Sequence, residues 1–128
     1  MRKRMVRGTL VLLLALVLLI PETAAGAAPR NTTHVSIVGG KVVSGGANIT
    51  VRYDCFPSGY TPYNSFGDVR VGQVSGVTGD GQFHPLCNDR FHSQAVFVPG
   101  AFTKGDAAVN VFICGFDCNS ASREIKLR

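Results

Sequence analysis

Hydrophobic and polar residues alternate in short runs along most of this chain, and the clearest run extends from Ala47 to Cys55. We expect Ile49, Val51, Tyr53 and Cys55 to point inward from it, while the polar residues between them face water. A period of two is typical of a β-strand with one buried face. We find no sustained helical period of i, i+3, i+4 and i+7 in the chain. The pattern therefore predicts an all-β protein.

Seven runs of this kind predict about seven short strands. They cover His34 to Val38, Ala47 to Cys55, Asp68 to Ser75, Gln82 to Leu86, His92 to Val98, Ala107 to Cys114 and Ser122 to Leu127. Seven strands in about 100 residues are typical of an immunoglobulin-like β-sandwich, and a small closed barrel is the alternative. The run that ends at Cys114 is apolar at every position except Asn110, which predicts a central strand in the middle of the core.

Glycine-rich segments separate the runs and predict turns. Gly39-Gly40 and Gly45-Gly46 would bound a short hairpin, and Gly79-Asp80-Gly81 would form a tight turn. Pro99-Gly100 and Lys104-Gly105-Asp106 are two further turn candidates, because glycine and proline favour turn conformations.

The first 27 residues have the pattern of a secretory signal peptide. Met1 to Arg7 is basic, Thr9 to Ile20 is apolar, and Ala25-Gly26-Ala27 offers the small residues that signal peptidase accepts. A helix of twelve residues would be only about 18 Å long, whereas the hydrocarbon core of a bilayer is about 30 Å thick. We therefore expect cleavage after Ala27, a short lead over 28–33, and a folded domain over 34–128.

The charge of the chain is concentrated in that leader. The whole sequence has 13 Lys and Arg against 8 Asp and Glu, but Arg2, Lys3, Arg4 and Arg7 lie in the first 27 residues. A nucleic-acid-binding protein needs clustered surplus cations, and the remainder of the sequence has none. We expect a secreted, extracellular monomer that binds neither nucleic acid nor, after signal cleavage, a membrane.

Four cysteines in a secreted chain allow three disulfide pairings. We favour Cys114 with Cys118, because the predicted central strand must turn back there, and Cys55 with Cys87. The rival pairing, Cys55 with Cys114 and Cys87 with Cys118, stays open. It would imitate the bridge of antibody domains, although the chain has no Trp to pack against it.

The sequence indicates neither a cofactor nor a metal site. Only one cysteine pair is closely spaced, and export exposes thiols to oxidation, so a zinc site is disfavoured. Histidine is the side chain best suited to acid–base chemistry near neutral pH, but none of His34, His84 and His92 lies in a recognisable nucleophile motif. His92 could serve as a ligand or proton donor, or could tie a loop to backbone carbonyls. We expect the protein not to be an enzyme.

Two short motifs carry a resemblance to a known group of proteins. Tyr53-Asp54-Cys55 ends one predicted strand, and Cys87-Asn88-Asp89-Arg90-Phe91-His92 precedes another. In these motifs the chain resembles a family of small secreted actinobacterial proteins known as a domain of unknown function. That resemblance implies an immunoglobulin-like sandwich and supports the pairing of Cys55 with Cys87. It implies no activity.

A second, weaker similarity is to the neocarzinostatin type of antibiotic-carrying apoproteins. One of their two disulfides closes a small loop that resembles Cys114 to Cys118, but the other closes a short segment rather than a long one. This similarity implies a carrier of small ligands as an alternative function.

The segment from Phe56 to Phe66 is the candidate recognition surface. It combines Phe56, Tyr60, Tyr63 and Phe66 with Ser, Gly and Asn, the mixture that antibody loops use for contact. These rings could instead cap the open end of the sandwich. The first hypothesis is an exported module whose loops bind an extracellular or cell-envelope partner.

Overall fold

The computed structural model of the chain describes residues 32–57 and 65–128. The predicted signal peptide, Tyr60 and Tyr63 lie outside the described residues. Within them the protein is all-β, as predicted. The strands are β1 (His34–Val43), β2 (Gly46–Asp54), β3 (Phe66–Gly72), β4 (Thr78–Phe83), β5 (His92–Pro99), β6 (Gly105–Cys114) and β7 (Cys118–Leu127).

The strands form one sheet in the order β4-β3-β6-β7-β1-β2-β5. Each pairing is antiparallel except that of β1 with β7, which is parallel and centres on Gly40 opposite Leu127. The sheet curls until its two edge strands meet. A methyl group added to Gly79 of β4 would collide with the carbonyl oxygen of Pro99 on β5, and one on Gly81 with that of Phe97. The result is a sheet that is nearly barrel-shaped.

The core lies inside the curled sheet and is built from alternate residues of the strands. On β2, Ile49, Val51 and Tyr53 are buried, and Cys55 is buried just beyond the strand, which confirms the predicted inward side. Fully burying a side chain of this size contributes about 1.5–3 kcal/mol. The pleat of each strand places its polar residues on the outer surface of the molecule.

Two of the predicted turns are wrong, because glycines there serve close packing within strands. Gly39-Gly40 lies inside β1, where a bulge shifts the register between Ile37 and Gly39. A methyl group on Gly40 would lie 2.7 Å from Ile49 Cδ1. The segment 79–81 lies inside β4 against the edge of β5. By contrast, Gly45 does form the turn between β1 and β2, with a φ of 81°.

The prediction for β6 is correct in position and wrong about its two faces. The strand lies between β3 and β7, near the middle of the sheet. Its buried side consists of Ala107, Val109, Val111 and Ile113. Phe112 points the other way and is 40% exposed. The apolar composition of β6 therefore reflects a hydrophobic position on the outer surface as well as the core.

Both disulfides have the favoured pairing. Cys55–Cys87 links the end of β2 to the segment that precedes β5, and Cys114–Cys118 links β6 to β7. The rival pairing of Cys55 with Cys114 is wrong. Two disulfides in a small β-protein are consistent with an extracellular location.

Candidate functional site

Three segments meet at one end of the molecule, and we call residues 55–57, 84–91 and 115–117 the loop end. The backbone joins them directly: Phe116 N donates to Phe56 O at 2.9 Å, and Asp89 N donates to Cys55 O at 2.9 Å. Backbone hydrogen bonds between segments that are distant in sequence hold a surface in one shape.

The Cys55–Cys87 disulfide forms the base of the loop end. Gly115 packs directly on it, since a methyl group there would lie 3.0 Å from Cys87 Sγ and collide with Phe56 O. The turn that follows is closed by a hydrogen bond from Gly115 N to Asp117 O at 2.9 Å. The turn between β6 and β7 is thus fixed by two disulfides, its own and the one beneath it.

Thr33 fastens the chain before β1 to the same turn. Its backbone N–H donates to Asp117 Oδ1 at 2.8 Å, its hydroxyl donates to Asp117 O at 3.0 Å, and its carbonyl accepts from Asn119 Nδ2 at 2.8 Å. The side chain of Thr33 is fully buried. These contacts leave Asp117 little freedom to move.

Large apolar side chains project from this rigid base. Phe116 is 61% exposed and Leu86 is 52% exposed, while Phe56 is half-buried. Neither Phe116 nor Leu86 was predicted from the sequence as a functional residue. A signal for Phe116 was present, because a side chain at the tip of a turn closed by a disulfide four residues apart has little core within reach.

The structure places the two described residues of the predicted loop surface in different surroundings. Phe56 lies at the loop end beside Phe116. Phe66 lies on the outer face of β3, is 49% exposed, and contacts Phe112 with 5.8 Å between ring centroids. Phe66 therefore does not cap the core.

Tyr53 positions the segment that carries Leu86. Its hydroxyl donates to Gln94 Oε1 at 3.1 Å and accepts from Leu86 N at 2.8 Å. Burial raises the pKa of Tyr53 above its usual value, and the hydrogen bond from Leu86 partly offsets this. The phenol is thus a neutral anchor beneath the loop end.

Two of the three histidines, His92 and His34, have local partners in the structure. His92 Nε2 lies 2.7 Å from Asn88 Oδ1, and its ring lies 5.8 Å from that of Tyr53. His92 therefore ties a loop, as one interpretation expected, but through a side-chain amide rather than a backbone carbonyl. His34 pairs with Asp54 at 2.8 Å.

Over 32–57 and 65–128, no cluster of three or more His, Cys, Asp or Glu is arranged to hold a metal ion. The described residues also include no helix long and apolar enough to cross a membrane. In comparisons with known proteins, no family model, curated protein or solved structure matches this chain.

Proposed function

We propose that this protein is a secreted, non-enzymatic, immunoglobulin-like module whose loop end binds an extracellular or cell-envelope partner. The pairing of β1 with β7 at a single position supports such a sandwich, because the sheet divides there into one layer of β1, β2 and β5 and another of β4, β3, β6 and β7. Tyr53 of β2 contacts Phe83 of β4 at 6.0 Å between ring centroids, although the two strands are not neighbours in the sheet. Such a contact is expected where two layers face each other across a core.

Export is supported by the leader and by the cysteines. The basic and apolar halves of the first 27 residues fit a signal peptide. All four cysteines are paired, and disulfides persist in oxidising compartments. An exported protein meets its partner outside the cell, so we place the proposed partner there.

The observation that carries the binding proposal is the exposure of Phe116 on a fixed base. Aromatic residues are enriched among those that dominate interface energies, and little entropy is lost when such a residue is already held in place. Phe116 is held by the disulfide Cys114–Cys118 and by the backbone of Phe56. Leu86 supplies a second apolar group on the same end.

The carrier of small ligands is the alternative, and it requires an apolar cleft inside the fold. Val98 and Phe102, which a cleft between β4 and β5 would expose, pack against Gly79 in the core. This packing favours the binding module over the carrier.

The proposal is tested by mixing the secreted protein with isolated cell envelopes of an actinobacterium. We choose this host because the sequence resembles an actinobacterial family. We expect Phe116→Ala to reduce the fraction retained at least tenfold, because truncation removes the exposed ring. The melting temperature should change little, since that ring is mostly outside the core. Sedimentation of the protein with envelopes measures retention.

Phe97→Ala is the matched control, because Phe97 is 48% exposed and lies on the outer face of β5. It should be retained like the unmodified chain. Equal retention of the Phe116→Ala protein, or no retention of the unmodified chain, would contradict the proposal.

A further inference from the structure

The outward face of β4, β3, β6 and β7 carries a polar and aromatic surface that adjoins the loop end at His84. We call it the Arg70 face. The strand register arranges its residues in adjoining rows across the sheet. Its members are Phe66, Asp68, Arg70, Asp80, Gln82, Asn110, Phe112, Ser120 and Ser122. Three adjoining depressions on this face share Arg70, and the one beside Phe66 measures about 590 Å³.

Arg70 lies at the centre of the face between two carboxylates. Its Nε lies 3.0 Å from Asp68 Oδ2 and 3.5 Å from Asp80 Oδ1, and its side chain is 72% exposed. The Nε–H group of Arg70 thus fixes the orientation of the guanidinium, and the terminal N–H groups are available to a ligand. The carboxylate oxygens of Asp68 and Asp80 offer acceptors at the same place.

Amides and hydroxyls extend this row across the sheet. Asn110 is opposite Arg70 on β6, and Ser122 is opposite Asn110 on β7. Ser122 donates to Asn110 Oδ1 at 2.6 Å, which orients the amide so that its NH₂ group serves as a donor. The row therefore offers both donors and acceptors. That arrangement suits ligand hydroxyls, since each hydroxyl both donates and accepts.

The two phenyl rings lie at one end of the polar groups. Phe112 is opposite Asp68 on the neighbouring strand, and Phe66 packs against Phe112 with the rings tilted by 53°. Both rings are 40–49% exposed, so each can pack against an apolar surface of a ligand. A pyranose ring offers such a surface in its C–H groups and offers hydroxyls around its rim.

Size and charge argue against other occupants. The four strands have 6, 7, 10 and 10 residues, which at about 3.3 Å per residue and a spacing of about 4.8 Å give a face of roughly 500 Å². A stable protein interface takes about 800 Å² from each partner. Asp68 and Asp80 outnumber Arg70, so the centre of the face also repels polyanions such as nucleic acids.

We propose that the Arg70 face is a binding site for a neutral oligosaccharide in an extended conformation. Phe66 and Phe112 stack on the sugar rings, and Arg70, Asp80 and Asn110 bind the hydroxyls. A strand run of about 20 Å from Phe66 to Gly72 accommodates a short oligosaccharide rather than a single sugar. This site reaches the loop end only at His84 and does not include Phe116, so its occupation does not depend on the function proposed for Phe116.

The test is calorimetric titration of the secreted protein with cellohexaose and with a hexamer of β-1,4-linked N-acetylglucosamine. We expect saturable binding of at least one of the two. Phe112→Ala should weaken that binding at least tenfold, and Arg70→Gln should weaken it at least fivefold. Phe97→Ala, which removes a ring of similar exposure from the outer face of β5, should bind like the unmodified chain.

A melting curve for each variant separates loss of binding from loss of folding. Failure of both hexamers to bind, equal affinity of the Phe112→Ala protein, or preferential binding of heparin would overturn the glycan site. So would a dimer that Phe112→Ala dissociates, since the face would then serve a protein. Phe116→Ala should leave glycan affinity unchanged, and repeating the envelope sedimentation with saturating free hexamer separates retention by the loop end from retention by the Arg70 face.

Discussion

Tyr53 connects the core of the protein to its loop end within a single side chain. Its ring is buried between Phe83 and His92, while its hydroxyl bridges Gln94 and the backbone of Leu86. A buried phenol is favourable when its O–H group has partners, because an unsatisfied polar group costs roughly 1–3 kcal/mol. The exposed Leu86 therefore depends on a residue that the solvent scarcely reaches.

Because the pKa of Tyr53 is raised in the folded protein, the free energy of unfolding falls at alkaline pH. In the unfolded chain the phenol has its usual pKa near 10 and loses its proton first. The stabilisation is fully present below about pH 10 and is lost as pH rises from there through the folded pKa. We expect the free energy of unfolding to fall in this range, as measured by urea denaturation at a series of pH values.

Tyr53→Phe should flatten this alkaline decline, because the variant has no phenol to ionise at that position. At neutral pH it should cost roughly 1–3 kcal/mol, since Leu86 N–H and Gln94 lose their partner. An alkaline decline of undiminished size in the variant would show that other groups cause it.

Individual strands were predictable from the sequence because one face of each is buried. The period of two in β2 locates the strand and its inward residues, as burial of Ile49, Val51 and Tyr53 confirms. The outward pair Phe66 and Phe112 was not predictable. It depends on the pairing of β3 with β6, and no local pattern in either strand encodes that register.

The spacing of the cysteines favoured the correct disulfides, because a four-residue separation suits a hairpin.

At the scale of strands and turns, the sequence did not show which glycines lie in turns and which lie inside strands. A glycine pair can form a turn, as at Gly45, or can permit two backbones to approach, as at Gly79 and Gly81. The two kinds of glycine differ in which atoms pack against the Cα where other residues carry a side chain. Those atoms belong to a distant part of the chain, so local composition cannot reveal them.

Substitution of the β4 glycines tests the contact between the edge strands. We expect Gly79→Ala and Gly81→Ala each to destabilise the protein by about 1–3 kcal/mol, because the methyl group would collide with a carbonyl of β5. Gly39→Ala is the matched control in another strand. An added methyl group there meets nothing within 4 Å, so its effect should be within about 0.5 kcal/mol. Urea denaturation measures all three, and equal effects would contradict close packing of β4 on β5.

On the scale of the whole molecule, the two disulfides constrain the unfolded chain unequally. Cys55 and Cys87 are separated by 32 residues, whereas Cys114 and Cys118 are separated by four. The entropy of loop closure gives about 3.7 kcal/mol for the longer loop and about 1.9 kcal/mol for the shorter. A domain of this size has a small stability margin, so the longer link supplies a large part of it.

Removal of each disulfide by paired alanine substitutions should show this inequality. We expect Cys55→Ala with Cys87→Ala to cost about 2 kcal/mol more than Cys114→Ala with Cys118→Ala. Denaturation by urea under identical conditions provides the comparison. The same cost for both pairs would mean that native packing, rather than the length of the closed loop, determines their contribution.

The meeting of β4 with β5 also affects how the molecule behaves in a crowded solution. An open sheet exposes N–H and C=O groups along its margins, and these can template a strand from another chain. Here the glycines of β4 lie against the carbonyls of β5, so each margin shields the other. Covering the edges in this way reduces the chance that a strand of another chain pairs with them, which favours a protein that stays dispersed at high concentration.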